Sequence, residues 1–143
     1  MKTKQIVIGA LVGGVSMFLL GWLIYGVLLS SVMEELWTGC NARPMEEMIW
    51  WAMIASNLVW GLLLAVVLDW SGSITMGAGA KVGAVLGLLC VLGFDLGMYS
   101  MTTMFSGATI LVLDVLSNMV MFAVAGLLVA WVMGKMGPKK EEN

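Results

Sequence analysis

The sequence predicts an all-α membrane protein, a four-transmembrane-helix bundle with both its N and C termini in the cytoplasm. Of its 143 residues, 61% are hydrophobic and only 11% are charged, whereas about a quarter of the residues in a soluble domain are charged. The apolar residues form four runs, each with roughly the 20 residues that a helix needs to cross a bilayer. Because lipid cannot hydrogen-bond to an open backbone, such runs must be helical.

The predicted spans are residues 5–30, 48–68, 77–98 and 108–133 of one integral membrane domain that covers residues 1–143. The first follows a basic start with Lys2 and Lys4. It is too long for a secretory signal and lacks a small-residue cleavage site, so we expect it to be retained as a span. Before the second span, Pro44 followed by Glu46 and Glu47 is typical of a helix start.

The basic residues predict the orientation of the spans. Six of them lie at the termini or near the second loop: Lys2, Lys4, Lys81, Lys135, Lys139 and Lys140. Arg43 alone falls in the first loop, among Glu34, Glu35, Glu46 and Glu47. Because positive charge is enriched on the cytoplasmic side, both termini and the second loop are predicted to be cytoplasmic. The four glutamates could hold a divalent cation, but a solvated loop surface is the simpler interpretation.

Tryptophans are placed as an aromatic belt requires. Trp37, Trp50 and Trp51 are expected at the outer interface, and Trp70 and Trp131 at the inner one. Lys81 is expected to extend its side chain toward the inner interface.

The chain also shows signs of an internal duplication. Residues 9–13 (GALVG) match residues 79–83 (GAKVG), and residues 56–59 (SNLV) match residues 117–120 (SNMV). The second match continues without a gap to Trp70 and Trp131. Since the equivalent helices cross the membrane in the same direction, the predicted bundle consists of two related parallel hairpins with a pseudo-twofold axis along the membrane normal.

Small residues at intervals of four predict close helix contacts. The five glycines concerned are Gly9, Gly13, Gly79, Gly83 and Gly87. Glycine lets two backbones approach, so that van der Waals contact replaces the missing hydrophobic drive in lipid. These residues either pack inside the bundle or form a homodimer face. Besides the lipid bilayer, the expected partners are a second copy or another subunit of a membrane complex; the net charge of -2 does not suggest nucleic acid.

Six polar side chains within the spans form the candidate site, because polar groups are costly in lipid and mark function there. They are Asp114, Asp95, Asn118, Ser117, Asn57 and Tyr25. Asp114, Ser117 and Asn118 share one helix face through their spacing. Asn57, the counterpart of Asn118 in the repeat, is expected near the midplane. The alternative is that the amides and Ser117 only join helices by hydrogen bonds.

The short third loop should bring Asp95 to the level of Asp114, in the outer half of the bundle. Tyr25 is expected to reach the same layer from the first span. Two close acids cannot both ionise cheaply, so one of them is expected to carry a proton. Such a pair could relay protons or hold a small cation or solute. In the alternative interpretation, Asp95 reaches the interface or caps a loop.

Other chemistry is weakly represented. Met98, Met101 and Met104 border the outer face and could bind Cu(I) through their thioethers, together with Met33, Met45, Met48 and Cys40. The 14 methionines are spread along the chain, however, and many suit apolar packing. There is no His, nucleotide loop, nucleophile–base pair or zinc spacing. We therefore expect no enzymatic activity, no cofactor and no metal other than this copper candidate.

Several segments resemble a bacterial family of small four-helix membrane proteins, the domain of unknown function 1761. They are residues 20–25 (LGWLIY), 92–94 (LGF), 113–115 (LDV) and 125–131 (AGLLVAW). The similarity covers nearly the whole chain. It implies a bundle in the bacterial cytoplasmic (inner) membrane and no established activity.

Three functions are compatible with these patterns. The leading hypothesis is transport of protons, a small cation or a small solute through the outer-half carboxylates. The alternative is a non-catalytic accessory or assembly subunit of a larger membrane complex. The second alternative is Cu(I) handling by the methionine cluster.

Overall fold

The computed structural model describes residues 2–32, 43 and 45–136, and within them the regular structure is helical. Helix α1 spans Lys2–Gly21 and continues as a π-helix over Trp22–Leu28. After a short 3₁₀ turn, Met45–Glu47, come α2 (Trp50–Ser71), α3 (Met76–Met101) and α4 (Ala108–Met136). The four long helices are apolar and long enough to cross a membrane. The prediction of an all-helical, four-helix membrane protein is confirmed at this level.

Each helix passes its predicted span by up to three residues at one end or both, and the first two stop or start two residues inside their predicted spans. Local caps set two of these ends. Helix α2 ends at Gly72, whose φ of 64° gives the left-handed conformation common after a helix. Helix α3 begins after Thr75, whose hydroxyl accepts a hydrogen bond from the Ala78 amide at 3.3 Å. Helix α4 runs to Met136, three residues past the predicted end of its span.

Each hairpin is closed by direct contact between backbones. In the first, Gly13 lies against Gly61, and a Cβ at Gly13 would come within 2.8 Å of the Gly61 Cα. In the second, Gly83 lies against the Phe122 backbone so closely that a Cβ would overlap its carbonyl. Such contact compensates for the weak association of apolar surfaces in lipid.

The five glycines predicted to mediate packing all lie inside this bundle. Gly9, Gly13, Gly79, Gly83 and Gly87 are buried, and each would bring an added Cβ against another helix of the same chain. These surfaces are used within the chain itself.

The two hairpins meet mainly along α1 and α4. Two clusters of buried side chains fill the interior, where α1, α2 and α4 come together. The first consists of Met17, Leu64, Met121, Phe122 and Ala125. The second consists of Ala65, Leu68, Val129, Ala130 and Met133. Helices α2 and α3 make few contacts with each other. The bundle is therefore closed between α1 and α4 and separated between α2 and α3.

The described tryptophans of the predicted belt are exposed at the helix ends. Trp51 and Trp70 are 75% and 80% exposed. The Lys135 ammonium lies 3.9 Å from the centre of the Trp131 ring, a cation–π contact. Glu46 and Glu47 are exposed in the short turn before α2. Other residues singled out from the sequence lie outside the described residues: Met33, Glu34, Glu35, Trp37, Cys40, Pro44, Lys139 and Lys140.

Candidate functional site

Asp114, on the inward face of α4, accepts hydrogen bonds from two different helices. The Tyr25 hydroxyl donates to Asp114 Oδ1 at 2.8 Å. Asn118, one turn further along α4, donates from Nδ2 to Asp114 Oδ2 at 3.2 Å and to the Tyr25 hydroxyl oxygen at 2.8 Å. The three side chains form a closed ring. Through it, Tyr25 links the first hairpin to the second.

Asp95, on α3, is the buried charged residue of the described core, with only 2% of its surface exposed. Its Oδ2 atom is buried and has no hydrogen-bond partner among the described residues. The Asp95 and Asp114 carboxyl groups are close enough to interact electrostatically. A buried carboxyl without a partner is costly. Asp95 therefore needs a proton shared with Asp114, or a hydrogen-bond donor supplied by water or a ligand in a neighbouring space.

Both carboxyl groups border one cavity of about 530 Å³. Its polar lining consists of Tyr25, Asp95, Asp114 and Asn118, and its apolar lining of Trp60, Cys90, Val91, Phe94, Met104 and Phe105. This volume lies within the range of about 300–1,000 Å³ that is usual for small-molecule sites. Trp60 is held edge-on against the Phe122 ring, with 5.4 Å between ring centres. Most of the cavity wall is thus apolar, and the two acids line it together with the hydrogen-bonding groups of Tyr25 and Asn118.

The other two residues of the predicted site lie apart from this lining. Asn57 donates to the Met53 carbonyl of its own helix at 2.8 Å. It borders a separate apolar groove between α1 and α2, together with residues such as Gly14 and Leu58. Ser117 is partly buried beside Tyr25 but does not line the cavity.

The three methionines proposed for copper have different surroundings. Met98 and Met104 pack against the buried Phe105 and Ile110. Met101 is 77% exposed. In the part of the chain that the structure describes, no group of three or more His, Cys, Asp or Glu residues could hold a metal ion.

The apolar wall of the cavity was not predicted from the sequence. Val91 precedes Asp95 by one helical turn, so its spacing alone could have indicated it. Phe105 lies in the loop that follows α3 and is buried, and a single aromatic residue in a loop gives no such signal. Trp60 and Phe94 resemble ordinary lipid-facing aromatic residues in an apolar span.

A comparison with protein-family models, curated proteins and solved structures finds no significant match to this chain. The resemblance to the domain of unknown function 1761 stays a prediction.

Proposed function

We propose that this protein transports a small positively charged solute, binding it between Asp95 and Asp114 and exchanging it for a proton. The buried Asp95 Oδ2 atom carries this proposal, since it has no hydrogen-bond partner among the described residues and its carboxyl faces a second acid. Intramembrane acids that border a cavity are commonly found on solute and proton pathways. The cavity of about 530 Å³ is also much larger than a proton or a single water of about 30 Å³ requires.

The hydrogen bonds indicate how the exchange would work. Tyr25 and Asn118 both donate to Asp114, so Asp114 is the acceptor of the pair and the proton belongs on Asp95. In this state the two carboxyl groups carry one proton and one negative charge. When a monovalent cation enters, the proton leaves Asp95 and both acids are ionised around the cation. The site carries the same net charge with the cation bound as with the proton bound. The exchange therefore adds no net charge to the membrane interior.

Binding and proton release can be measured together in nanodiscs, with ethylammonium as the probe. We expect one proton to be released per cation, so that affinity rises with pH by up to about tenfold per unit. Asp95→Asn should remove the proton release and weaken binding by at least about 30-fold, as the loss of one partner of a buried charge pair does. Asp69→Asn is the matched control, because Asp69 lies near the end of α2 and does not line the cavity.

Transport itself is tested in proteoliposomes with an outward proton gradient. Because neutral amine crosses lipid and is trapped by protonation inside, uptake is counted only above that of protein-free liposomes. This protein-dependent cation uptake should follow the gradient in the native protein and be lost in both Asp95→Asn and Asp114→Asn. Protein-dependent uptake that survives both substitutions would remove the acids from the transport path.

A second candidate is a non-catalytic accessory subunit of a membrane complex. The observation in its favour is that Tyr25, Asp114 and Asn118 satisfy one another and join the two hairpins, which is also what a structural tie would do. This candidate predicts that Asp114→Asn reduces recovery of a larger complex from native membranes. It also predicts that neither the native protein nor any variant shows detectable cation binding.

We also propose that the hairpins arose by duplication, with both termini cytoplasmic in a bacterial inner membrane. The contact register supports the duplication. The first match aligns Gly13 with Gly83, and the second, extended without a gap, aligns Gly61 with Phe122. Gly13 contacts Gly61, and Gly83 contacts Phe122 in the same way. Labelling of Lys4 and Arg43 from opposite sides of the membrane would test the orientation.

A further inference from the structure

We infer that the solute is an amphipathic organic cation, an ammonium group on an apolar body, and that it enters the cavity sideways from the lipid between α2 and α3. This inference rests on the proposed function and specifies the ligand class and its route.

The route follows from the unequal closure of the bundle. Helices α1 and α4 pack together along the interior, whereas α2 and α3 make few contacts. The cavity lining includes Trp60 on α2 and both Cys90 and Phe94 on α3. Trp60 is 37% exposed, Phe94 is 64% exposed and Cys90 is also exposed. The walls of the cavity therefore reach the outer surface of the bundle along this side.

The depth of these residues places that side within the hydrocarbon layer. Trp60 lies near the middle of Trp50–Ser71, roughly 15 Å from each end at 1.5 Å per residue. Cys90 lies near the middle of Met76–Met101. A surface at the middle of a membrane-spanning helix meets acyl chains instead of water. A molecule dissolved in the bilayer thus meets this side of the cavity directly.

The lining determines which cation fits. A hard inorganic ion needs oxygen ligands all around it, but this cavity is largely walled by aromatic and aliphatic side chains. An ammonium head can instead pair with Asp95 and Asp114. The apolar body then lies against Val91, Met104 and Phe105, and aromatic faces favour a nearby cation.

The first test compares octylammonium with ethylammonium in nanodiscs of the native protein, Asp95→Asn, Asp114→Asn and the control Asp69→Asn. Empty discs and Asp95→Asn correct for simple partition into lipid. We expect Asp95-dependent binding of octylammonium at aqueous concentrations at least about tenfold lower than for ethylammonium, because several methylene groups leave water. Asp114→Asn should reduce that binding as well, and Asp69→Asn should leave it unchanged.

The second test measures the route. A nitroxide is attached to Cys90 in the Cys40→Ser protein, and its collisions with lipid-soluble oxygen and with a water-soluble nickel chelate are compared. We expect oxygen to be the dominant relaxant at Cys90. Two controls without native cysteines calibrate the scale: Leu89→Cys, which is exposed on α3 but does not line the cavity, and Arg43→Cys, which is exposed outside the spans.

The outcomes separate the two proposals. If neither cation shows Asp95-dependent binding, the proposed function fails. If both cations bind in an Asp95-dependent manner at the same aqueous concentration, the function stands and the amphipathic ligand class is overturned. If the nickel chelate dominates at Cys90, the lateral route is overturned, since the cavity is then reached from water.

Discussion

The two hairpins are built alike and used differently. Both close through glycine contacts between backbones, at Gly13 in the first and at Gly83 in the second. The two amides that the sequence matches align each donate to a carbonyl four residues earlier in their own helix: Asn57 to Met53, and Asn118 to Asp114 at 3.0 Å. Among the residues that the structure describes, Asn118 has further partners and Asn57 has none. The packing scaffold and the polar site are thus separable properties of this fold.

The difference lies in two positions. Extended without a gap, the match between residues 9–13 and 79–83 pairs Tyr25 with Asp95. The match between the other two helices pairs Met53 with Asp114. An acid thus stands in the second hairpin where the first has a phenol or a thioether. Tyr25, in the π-helical part of the first span, and Asp95, on α3, border the same cavity as Asp114, so this cavity is lined by two positions that the match aligns.

The largest effect is expected where the hairpins are alike. Gly83→Ala places a methyl group against the Phe122 carbonyl, and α3 and α4 must separate to admit it. We expect a loss of about 1–3 kcal/mol in the free energy of unfolding. The measurement is a titration with SDS in mixed micelles, followed by circular dichroism.

Gly93→Ala is the matched control on the same helix, where an added Cβ meets nothing within 4 Å. It should be neutral or stabilising by up to about 1 kcal/mol, because alanine favours the helix. Equal destabilisation by both substitutions would mean that the Gly83 contact does not close the hairpin.

An intermediate effect is expected at the link between the hairpins. Tyr25→Phe removes the hydroxyl that donates to Asp114 and accepts from Asn118. We expect a loss of about 1–2 kcal/mol, between the usual value for intramembrane hydrogen bonds and that for bonds to charged groups. The same SDS titration measures it. Tyr99→Phe, at a residue 45% exposed on α3, should have no measurable effect; a comparable loss there would point to a general effect of removing a hydroxyl.

The smallest effect is expected at Asn57, whose amide makes no hydrogen bond to another helix among the described residues. Within the described ranges, the Asn57 side chain bonds to one carbonyl of its own helix, and it borders an apolar groove. Asn57→Leu should therefore change the unfolding free energy by less than about 0.5 kcal/mol. Asn118→Leu should cost about 1–2 kcal/mol, because Tyr25 and Asp114 lose a shared donor. Paired unfolding titrations compare them, and equal losses would show that the two hairpins use their amides alike.

Much of this architecture follows from sequence alone. Hydropathy predicts four spans because lipid permits little else, and the helical period places Asp114 and Asn118 on one face. The short loop between α3 and α4 likewise predicts that Asp95 and Asp114 are near each other. Their shared cavity agrees with that expectation.

The rotation of each helix about its own axis is harder to predict. In a span that is apolar on every face, hydropathy does not indicate which side meets lipid and which meets a neighbour. Asn57 illustrates this, since the sequence predicts its depth in the membrane but does not predict its position beside the groove. Trp60 and Phe94 pose the converse problem, because an aromatic residue suits both lipid and a cavity wall.

The π-helical stretch of the first span carries Tyr25, so it affects the hydrogen bonds that join the two hairpins. The Leu29 amide bonds to the Ile24 carbonyl five residues earlier, at 2.7 Å, so each turn here contains one residue more than an α turn. Rewinding of this stretch toward α geometry would exchange one set of backbone bonds for another, so it would not expose free amides to lipid. Such a change of winding would turn Tyr25 around the helix axis. It would break the Tyr25 hydrogen bonds to Asp114 and Asn118, while the buried packing of α1 against α4 would still join the hairpins.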